Sequence, residues 1–152
     1  MSELVIDGEE FIGALELNMP EIKSVLDCET GEVIMMPNNG SDFEIEDELL
    51  ELIEENWGIR FIQIEPISSR EGWEIMSDFI DQLTDGEAVR RLDRAIQGKS
   101  AFRRFKDELI DFPGLREQWF SFHTAALYTI AESWLENHDI KATLKRHPSE
   151  SK

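Results

Sequence analysis

A succession of amphipathic segments fills the chain after Pro66, and it limits the fold more than any other feature of the sequence. In each segment apolar residues recur every three or four positions, which is the spacing of one face of an α-helix. Two segments open with the S/T-x-x-E pattern of a capping box, whose side chains satisfy free N–H groups of the first helical turn. The sequence therefore predicts four helices here. Their predicted starts are Ser68 with Glu71, Thr84 with Glu87, Ser100, and Pro113.

The part of the chain before these helices contains shorter elements of both types. Asp7 is a suitable N-cap for an N-terminal helix. Residues 22–28 and 32–36 are rich in β-branched and large apolar side chains, and Gly31 between them supplies a turn. These two segments predict a β-hairpin. Residues 60–65 alternate between the two sides of an extended chain and predict a third strand.

A strongly acidic helix is predicted between the hairpin and the third strand. Its start is the capping pattern of Ser41 with Glu44. Its predicted apolar face consists of Ile45, Leu49, Leu52, Ile53 and Trp57. The inward residues predicted for the second and third C-terminal helices are Val89, Leu92, Ile96, Phe102, Phe105 and Leu109.

Together these elements predict an α+β fold with a small three-stranded antiparallel sheet, an N-terminal helix and a C-terminal bundle of about four helices. We expect a single globular domain over residues 1–138, since domains commonly hold roughly 100–150 residues. Residues 139–152 are expected to form a flexible C-terminal tail. Within that tail Ile140, Ala142 and Leu144 alternate in the manner of a short strand.

Charge is sorted along the chain. The 33 acidic and 15 basic residues give a formal net charge of −18. Residues 1–58 hold 17 of the acids and a single base, Lys23, whereas seven bases fall between positions 90 and 106. Net charge influences partners and association rates without choosing a fold. The sorting therefore directs attention to interactions with charged partners.

Cysteine use and hydropathy indicate the compartment. The single cysteine, Cys28, excludes an internal disulfide and fits a reducing environment. The N-terminal residues lack the basic and apolar segments of a signal peptide. No uninterrupted apolar run approaches the ~20 residues of a membrane span. We therefore expect a cytoplasmic protein that has no membrane segment.

Several stretches of the chain resemble one known family. Residues 26–33, Leu-Asp-Cys-Glu-Thr-Gly-Glu-Val, resemble its hairpin signature. Two further signatures resemble residues 69–79, which begin Ser-Arg-Glu-Gly-Trp, and residues 98–107, which contain Ala-Phe-Arg-Arg-Phe-Lys-Asp. The remaining matching residues are Pro113, Leu115, Arg116, Trp119, Phe120, Phe122, Trp134 and Leu135. Over roughly residues 9–138 the chain is thus similar to the bacterial uncharacterised protein family UPF0158, a resemblance that implies no assigned activity.

Two oppositely charged groups are candidates for binding a partner. The acidic helix has no cation of its own, and each like-charge pair four residues apart costs about 0.2–0.5 kcal/mol, so this helix gains from a cationic neighbour. We expect that neighbour to be either the basic group of the same chain or a basic protein partner. We also expect the basic group to pair mainly with acids of its own fold. The basic candidates are Arg90, Arg91, Arg94, Arg103, Arg104 and Lys106, and the acidic candidates are Glu48, Glu51 and Glu55.

Other kinds of site have weaker signals. Ser69 and Arg70, at a predicted helix start, are suited to bind an anion, although the Ser68–Glu71 cap explains the same residues. The three histidines are not at the spacing of a metal-ligand pair. No nucleophile elbow or nucleotide-binding loop is present. We therefore assign no catalytic residue, no metal ligand and no cofactor.

Three functions from different classes fit these observations. The leading one is a non-catalytic acidic interaction module, an adaptor or regulator that meets a protein partner. The first alternative is nucleic-acid binding through the basic patch Arg90–Lys106, which the net negative charge disfavours. The second alternative is an enzyme with an unrecognised site.

Overall fold

The computed structural model describes residues 4–17, 19–37 and 46–146, which form five strands and six helices. The strands are β1 (Leu4–Asp7), β2 (Ile22–Asp27), β3 (Val33–Pro37), β4 (Phe61–Ile64) and β5 (Ala142–Lys145). The helices are α1 (Gly8–Glu16), α2 (Asp47–Glu55), α3 (Ser69–Asp81), α4 (Gly86–Ala95), α5 (Ala101–Leu109) and α6 (Pro113–Asn137). The chain divides into two compact units: unit 1 comprises residues 1–66 and 128–152, and unit 2 comprises residues 67–127.

The main sheet of unit 1 is antiparallel and has the strand order β3-β2-β4. Val25 of the central strand lies opposite Ile34 of β3 and Gln63 of β4. Val25, Ile34, Met36 and Phe61 form a buried cluster together with Ile53 of α2, so the acidic helix packs on the sheet. This sheet, with an N-terminal helix and a helical C-terminal part, confirms the predicted α+β class.

The turn of the predicted hairpin is fixed by its own side chains. Asp27 Oδ1 accepts hydrogen bonds from the N–H groups of Glu29 (2.9 Å) and Thr30 (3.4 Å). Gly31 has a φ of +84°, which is accessible mainly to glycine, and its N–H donates to the carbonyl oxygen of Asp27. A Cβ atom at Gly31 would collide with the carbonyl oxygen of Val5. The hairpin signature is therefore a turn that only glycine can complete.

A second, two-stranded sheet in unit 1 joins the two ends of the chain. Strands β1 and β5 are parallel, with Leu4 opposite Ala142 and Ile6 opposite Leu144. The short strand indicated by the alternation near residue 142 is therefore present, whereas β1 was not among the predicted elements. The single domain over 1–138 and the flexibility of the tail stay predictions, and residues 147–152 lie outside the described residues.

In unit 2 the predicted start of α3 agrees with the structure, and the predicted starts of α4 and α5 differ from it in their capping. At α3 the capping box is as predicted, because Ser68 Oγ accepts from the N–H of Glu71 and Glu71 Oε1 accepts from the N–H of Ser68. At α4 the predicted cap Thr84 is wrong, since the carboxylate of Asp85 accepts the N–H groups of the first turn instead. Ser100 does precede α5, but in a left-handed conformation and with no side-chain capping bond.

Aromatic rings form the core of unit 2. Phe79 of α3 lies edge-on to Phe105 of α5 and to Trp119 of α6, with ring centroids 6.3 and 5.4 Å apart. The ring centroids of Phe105 and Trp119 lie 4.8 Å apart, and both side chains are buried. Helix α6 begins at Pro113 as predicted. The contacts explain why aromatic residues recur at helical spacing in these three segments.

Phe102 is an exception to the predicted core. Its side chain is 43% exposed, so the prediction that it points inward is wrong. The ring instead covers Gly72 of α3, where an added Cβ would come within 2.7 Å of Phe102 Cζ. A glycine in α3 therefore lets this exposed ring lie against the helix.

Candidate interaction surfaces

The five acids of α2 form one open anionic surface, which we call the acid face. It consists of Asp47, Glu48, Glu51, Glu54 and Glu55, all of them exposed. None of the five forms an ion pair with any residue that the structure describes. The candidates Glu48, Glu51 and Glu55 thus lie together on it. The predicted cap at Ser41 and Glu44 lies outside the described residues.

Apolar packing holds this helix in place despite its charge. Ile53 is fully buried against the sheet, and Leu49 and Leu50 pack against the same cluster. At the far end, Asn56 Nδ2 donates a 2.9 Å hydrogen bond to the carbonyl oxygen of Leu52. Burial of side chains such as Ile53 contributes about 1.5–3 kcal/mol each, which exceeds the repulsion within any one pair of acids.

Three apolar side chains near the end of α2 are exposed, and the sequence did not predict this. Leu52, Trp57 and Ile59 are 38%, 41% and 80% exposed, so the inward placement predicted for Leu52 and Trp57 is wrong. Because α2 ends at Glu55, Trp57 leaves the helical periodicity. Lys23 Nζ lies over the Trp57 ring at 5.0 Å from its centroid, a cation–π contact.

Arg91 belongs to the structure of unit 2 and not to an open surface. Its Nη2 lies 2.6 Å from both Glu108 Oε1 and Asp111 Oδ2, and its guanidinium lies over the ring of Phe112. The hydrogen bonds to Asp111 and Glu108 raise the pKa of Arg91. A weaker contact reaches Glu87 at 3.9 Å. Arg91 thus ties α4 to the end of α5, as the expected pairing with acids of the same fold requires.

Arg104 has a structural contact of another kind. Its Nη1 donates to the carbonyl oxygen of Gln97 at 3.1 Å, and its Nη2 lies 3.5 Å from that of Arg94. The last carbonyl groups of a helix have no partner within the helix and attract cations. Arg104 of α5 therefore binds the backbone at and just after the end of α4, and it connects the two helices.

The four remaining basic candidates are open, and we call them the base face. They are Arg90, Arg94, Arg103 and Lys106. All four are exposed, and within the described residues none takes part in an ion pair. In the part of the chain that the structure describes, the expectation that the basic group pairs with acids of its own fold therefore holds for Arg91 and not for the base face, because the Arg91 side chain faces acids of α5 and the segment after it.

The weak anion-binding candidates lie in the first turn of α3. Arg70 is 86% exposed and its Nε lies 3.3 Å from Glu74 Oε2, in an ion pair four residues apart. The neighbouring Ser68 and Glu71 complete the capping box. The capping role explains this segment, and anion binding by Ser69 and Arg70 stays a prediction.

An ion pair that the sequence did not reveal joins the hairpin turn to β4. Arg60 Nε and Nη2 donate to Asp27 Oδ1 and Oδ2 at 2.9 and 3.0 Å. Burial alone would raise the pKa of Asp27, but the hydrogen bonds from Arg60 and the Glu29 N–H outweigh it, and this pKa lies below its ordinary value. The only sequence signal for this pair was an acid and a base at the ends of adjacent strands. The pair stabilises the turn.

Three features of the described residues bear on a metal-binding or catalytic site: clusters of metal-ligand residues, the single thiol, and a surface depression. Among these residues, no group of three or more His, Cys, Asp or Glu side chains is placed to hold a metal ion. Burial, with a smaller contribution from the charge of Asp27, raises the pKa of the half-buried Cys28. A depression of about 630 Å³ in unit 2 is wide open to solvent, and its polar lining includes Glu117 and Ser121 but no histidine or cysteine. None of the described helices is long and apolar enough for a membrane crossing.

Comparison with known proteins agrees with the signatures. The model of an uncharacterised protein family, UPF0158, matches residues 1–151. The chain is also similar to the UPF0158 protein PA5073 of Pseudomonas aeruginosa, with 30% identity over 149 residues that cover 98% of this chain and 93% of that protein. No solved structure matches the chain. The chain therefore belongs to the UPF0158 family.

Proposed function

We propose that the protein is a non-catalytic interaction module that binds a cationic protein partner through the acid face of α2. The observation that carries this proposal is that five exposed carboxylates on one short helix have no ion-pair partner among the described residues. A helix with this much internal repulsion gains free energy when cations approach it. Complementary charge also speeds the encounter of two proteins.

Exposed apolar groups beside the acid face support protein recognition over simple counter-ion binding. Trp57 is a type of residue that commonly dominates binding energy in interfaces, and Leu52 and Ile59 are exposed in the same part of the chain. Interfaces usually combine an apolar centre with a polar rim. The partner we expect is a basic protein segment that also carries apolar side chains.

The test compares two charge-matched variants. Glu51→Gln/Glu55→Gln removes two charges four residues apart from the acid face, and Glu132→Gln/Glu136→Gln removes an equally spaced exposed pair from α6. At low ionic strength, wild type and the α6 variant should capture the same basic protein, and the acid-face variant should bind it roughly 2–30-fold more weakly if each charge contributes as exposed pairs do. The purified partner is then titrated against all three proteins. Equal affinity for all three would contradict the proposal.

The compartment of this module is proposed to be the cytoplasm. Its single cysteine has no partner for an internal disulfide, which is the usual situation in a reducing compartment. Fractionation of cells that produce the untagged protein would test this, and recovery from an oxidising compartment would contradict it.

Nucleic-acid binding through the base face is the second candidate function. Its support is that Arg90, Arg94, Arg103 and Lys106 are exposed and form no ion pair among the described residues. Phosphate contacts by such cations give strongly salt-dependent affinity. Titration of labelled DNA and RNA oligonucleotides at low ionic strength tests it, and an absence of salt-dependent binding would eliminate it.

A further inference from the structure

Helices α4 and α5 form a rigid platform for the base face. Arg91 links α4 to Glu108 and Asp111, and Arg104 donates to the carbonyl oxygen of Gln97, just after the end of α4. These contacts fix the helix pair without using the four open cations. The backbone positions from which these cations extend are therefore set before any partner arrives, which reduces the entropy cost of binding.

The open charges of the two faces have the same spacing along their helices. Arg90 and Arg94 are four residues apart, and Arg103 and Lys106 are three apart. Helical residues rise 1.5 Å each, so these cations are separated by about 6 and 4.5 Å along the helix axes. On α2, Glu51–Glu55 and Glu48–Glu51 repeat the four-residue and three-residue intervals.

We propose that the base face of α4 and α5 binds the acid face of α2 in a second copy of the protein. This proposal rests on the proposed function of the acid face and names a second copy as one of its cationic partners. Among the described residues neither face has an ion pair within its own unit, and each presents the charge that the other lacks. The contact is heterologous, because different surfaces of the two copies meet.

Self-association of this kind regulates access to the acid face. While the second copy covers α2, a basic partner must displace it, so free protein at high concentration is held in a reserve form. The binding is expected to be weak, because exposed ion pairs contribute little and two chains of charge −18 repel each other.

The salt dependence separates this contact from the binding of a basic partner. At ~0.01 M salt charges interact over about 30 Å, so the net repulsion between copies is strong, whereas at ~0.1 M it is confined to about 10 Å and contacting pairs persist. Self-association should therefore peak near ~0.1 M salt and disappear near ~1 M. The affinity for a basic partner should instead fall steadily as salt is added.

A second copy fits the base face better than a nucleic acid. Proteins that bind single strands stack bases on aromatic rings beside the cations. Here Phe105 is buried and the ring of Phe102 lies over Gly72, so neither presents two open faces. The net charge also repels a long polyanion beyond the local contact.

Sedimentation equilibrium tests the proposal on the full chain. At ~0.1 M salt the weight-average mass of wild type should rise with concentration above the monomer mass of 17.6 kDa, and at ~1 M it should return to that mass. Glu51→Gln/Glu55→Gln and Arg90→Gln/Arg94→Gln should each raise the dissociation constant about 2–30-fold. A one-to-one mixture of these two variants retains one intact acid face and one intact base face, so it should regain dimers but no larger species. The α6 variant Glu132→Gln/Glu136→Gln should behave as wild type.

Wild type that stays monomeric at ~0.1 M salt at all concentrations would overturn the proposal, and this measurement needs no variant to fold. A dissociation constant in either face variant equal to that of wild type would overturn it too. The base face would be assigned to nucleic acid if wild type stays monomeric and binds oligonucleotides, and if the base-face variant alone loses that binding. In each of these cases, capture of a basic partner through the acid face would leave the proposed function intact.

Discussion

Replacing Glu51 with glutamine should stabilise the protein. Glu51 lies at the centre of α2, with Asp47 and Glu48 one turn before it and Glu54 and Glu55 one turn after it. Each like-charge pair at this spacing costs about 0.2–0.5 kcal/mol, so the substitution Glu51→Gln should raise the free energy of unfolding by about 0.8–2 kcal/mol at low ionic strength. Glutamine and glutamate have similar helix propensities, and a central position is far from either end of the helix dipole.

Thermal unfolding measures this effect. For a chain of this size 1 kcal/mol corresponds to about 2–4 °C, so the midpoint should rise by about 2–8 °C. The gain should decrease toward zero at ~1 M salt, where the screening length is about 3 Å. The control is Glu117→Gln on α6, since no acid stands three or four residues from Glu117, and its effect should remain within about 0.5 kcal/mol.

A lower midpoint for Glu51→Gln at low salt would refute the reasoning. It would mean that Glu51 is held by a cation in solution and that the acid face is closed. A gain that does not depend on salt would refute it as well, because repulsion between exposed carboxylates must be screened. Either result would remove the basis of the proposed function.

Three further predictions concern the residues that hold each unit together. Asp27→Asn should lower the free energy of unfolding by about 1.5–3 kcal/mol at neutral pH. The folded pKa of Asp27 is below its ordinary value, so the stability difference between wild type and Asp27→Asn should shrink as pH falls through that folded pKa. Urea titrations at several pH values measure this difference. A stability difference that does not change with pH would exclude the Arg60 pair as its cause. Gly31→Ala should cost about 2–5 kcal/mol, from the positive φ and the collision with Val5, and a loss below about 1 kcal/mol in denaturant titration would contradict this geometry. Phe105→Ala should cost about 3–5 kcal/mol in the same assay, whereas the exposed Phe120→Ala should cost less than about 1 kcal/mol, and equal losses would argue against the aromatic core of unit 2.

Local signals predicted most of the fold. The capping box at Ser68, the proline at the start of α6 and the glycine in the hairpin each act within a few residues, so their effect is readable from sequence. Strand β1 has only four residues, and its partner β5 lies at the other end of the chain. No local pattern specifies a parallel pairing over such a separation. At α4, Thr84 and Asp85 are both good caps, and only the backbone geometry decides between them.

The candidate surfaces were predictable in composition but not in pairing. The sequence indicates that Arg90 and Arg91 lie off the apolar stripe of α4, yet they differ by one 100° step around the helix. That step places Arg91 against Glu108 and leaves Arg90 open. Trp57 was assigned to the inward face because the periodicity continued past Glu55, where the helix in fact ends. Both outcomes depend on where neighbouring elements lie, which periodicity alone does not contain.

The family signatures separate residues that build the fold from residues that remain open. The stretch Ala-Phe-Arg-Arg-Phe-Lys-Asp, residues 101–107, resembles one of these signatures. In it Phe105 is in the core, Arg104 donates to the Gln97 carbonyl oxygen just after α4, and the ring of Phe102 covers Gly72. Arg103 and Lys106 of the same stretch are exposed and form no ion pair among the described residues. Folding gives no reason for two cations at these places, because an exposed helix position accepts most residues at a cost within about 0.5 kcal/mol. The proposed contact of the base face with a partner would therefore account for Arg103 and Lys106, which the stability of unit 2 does not require.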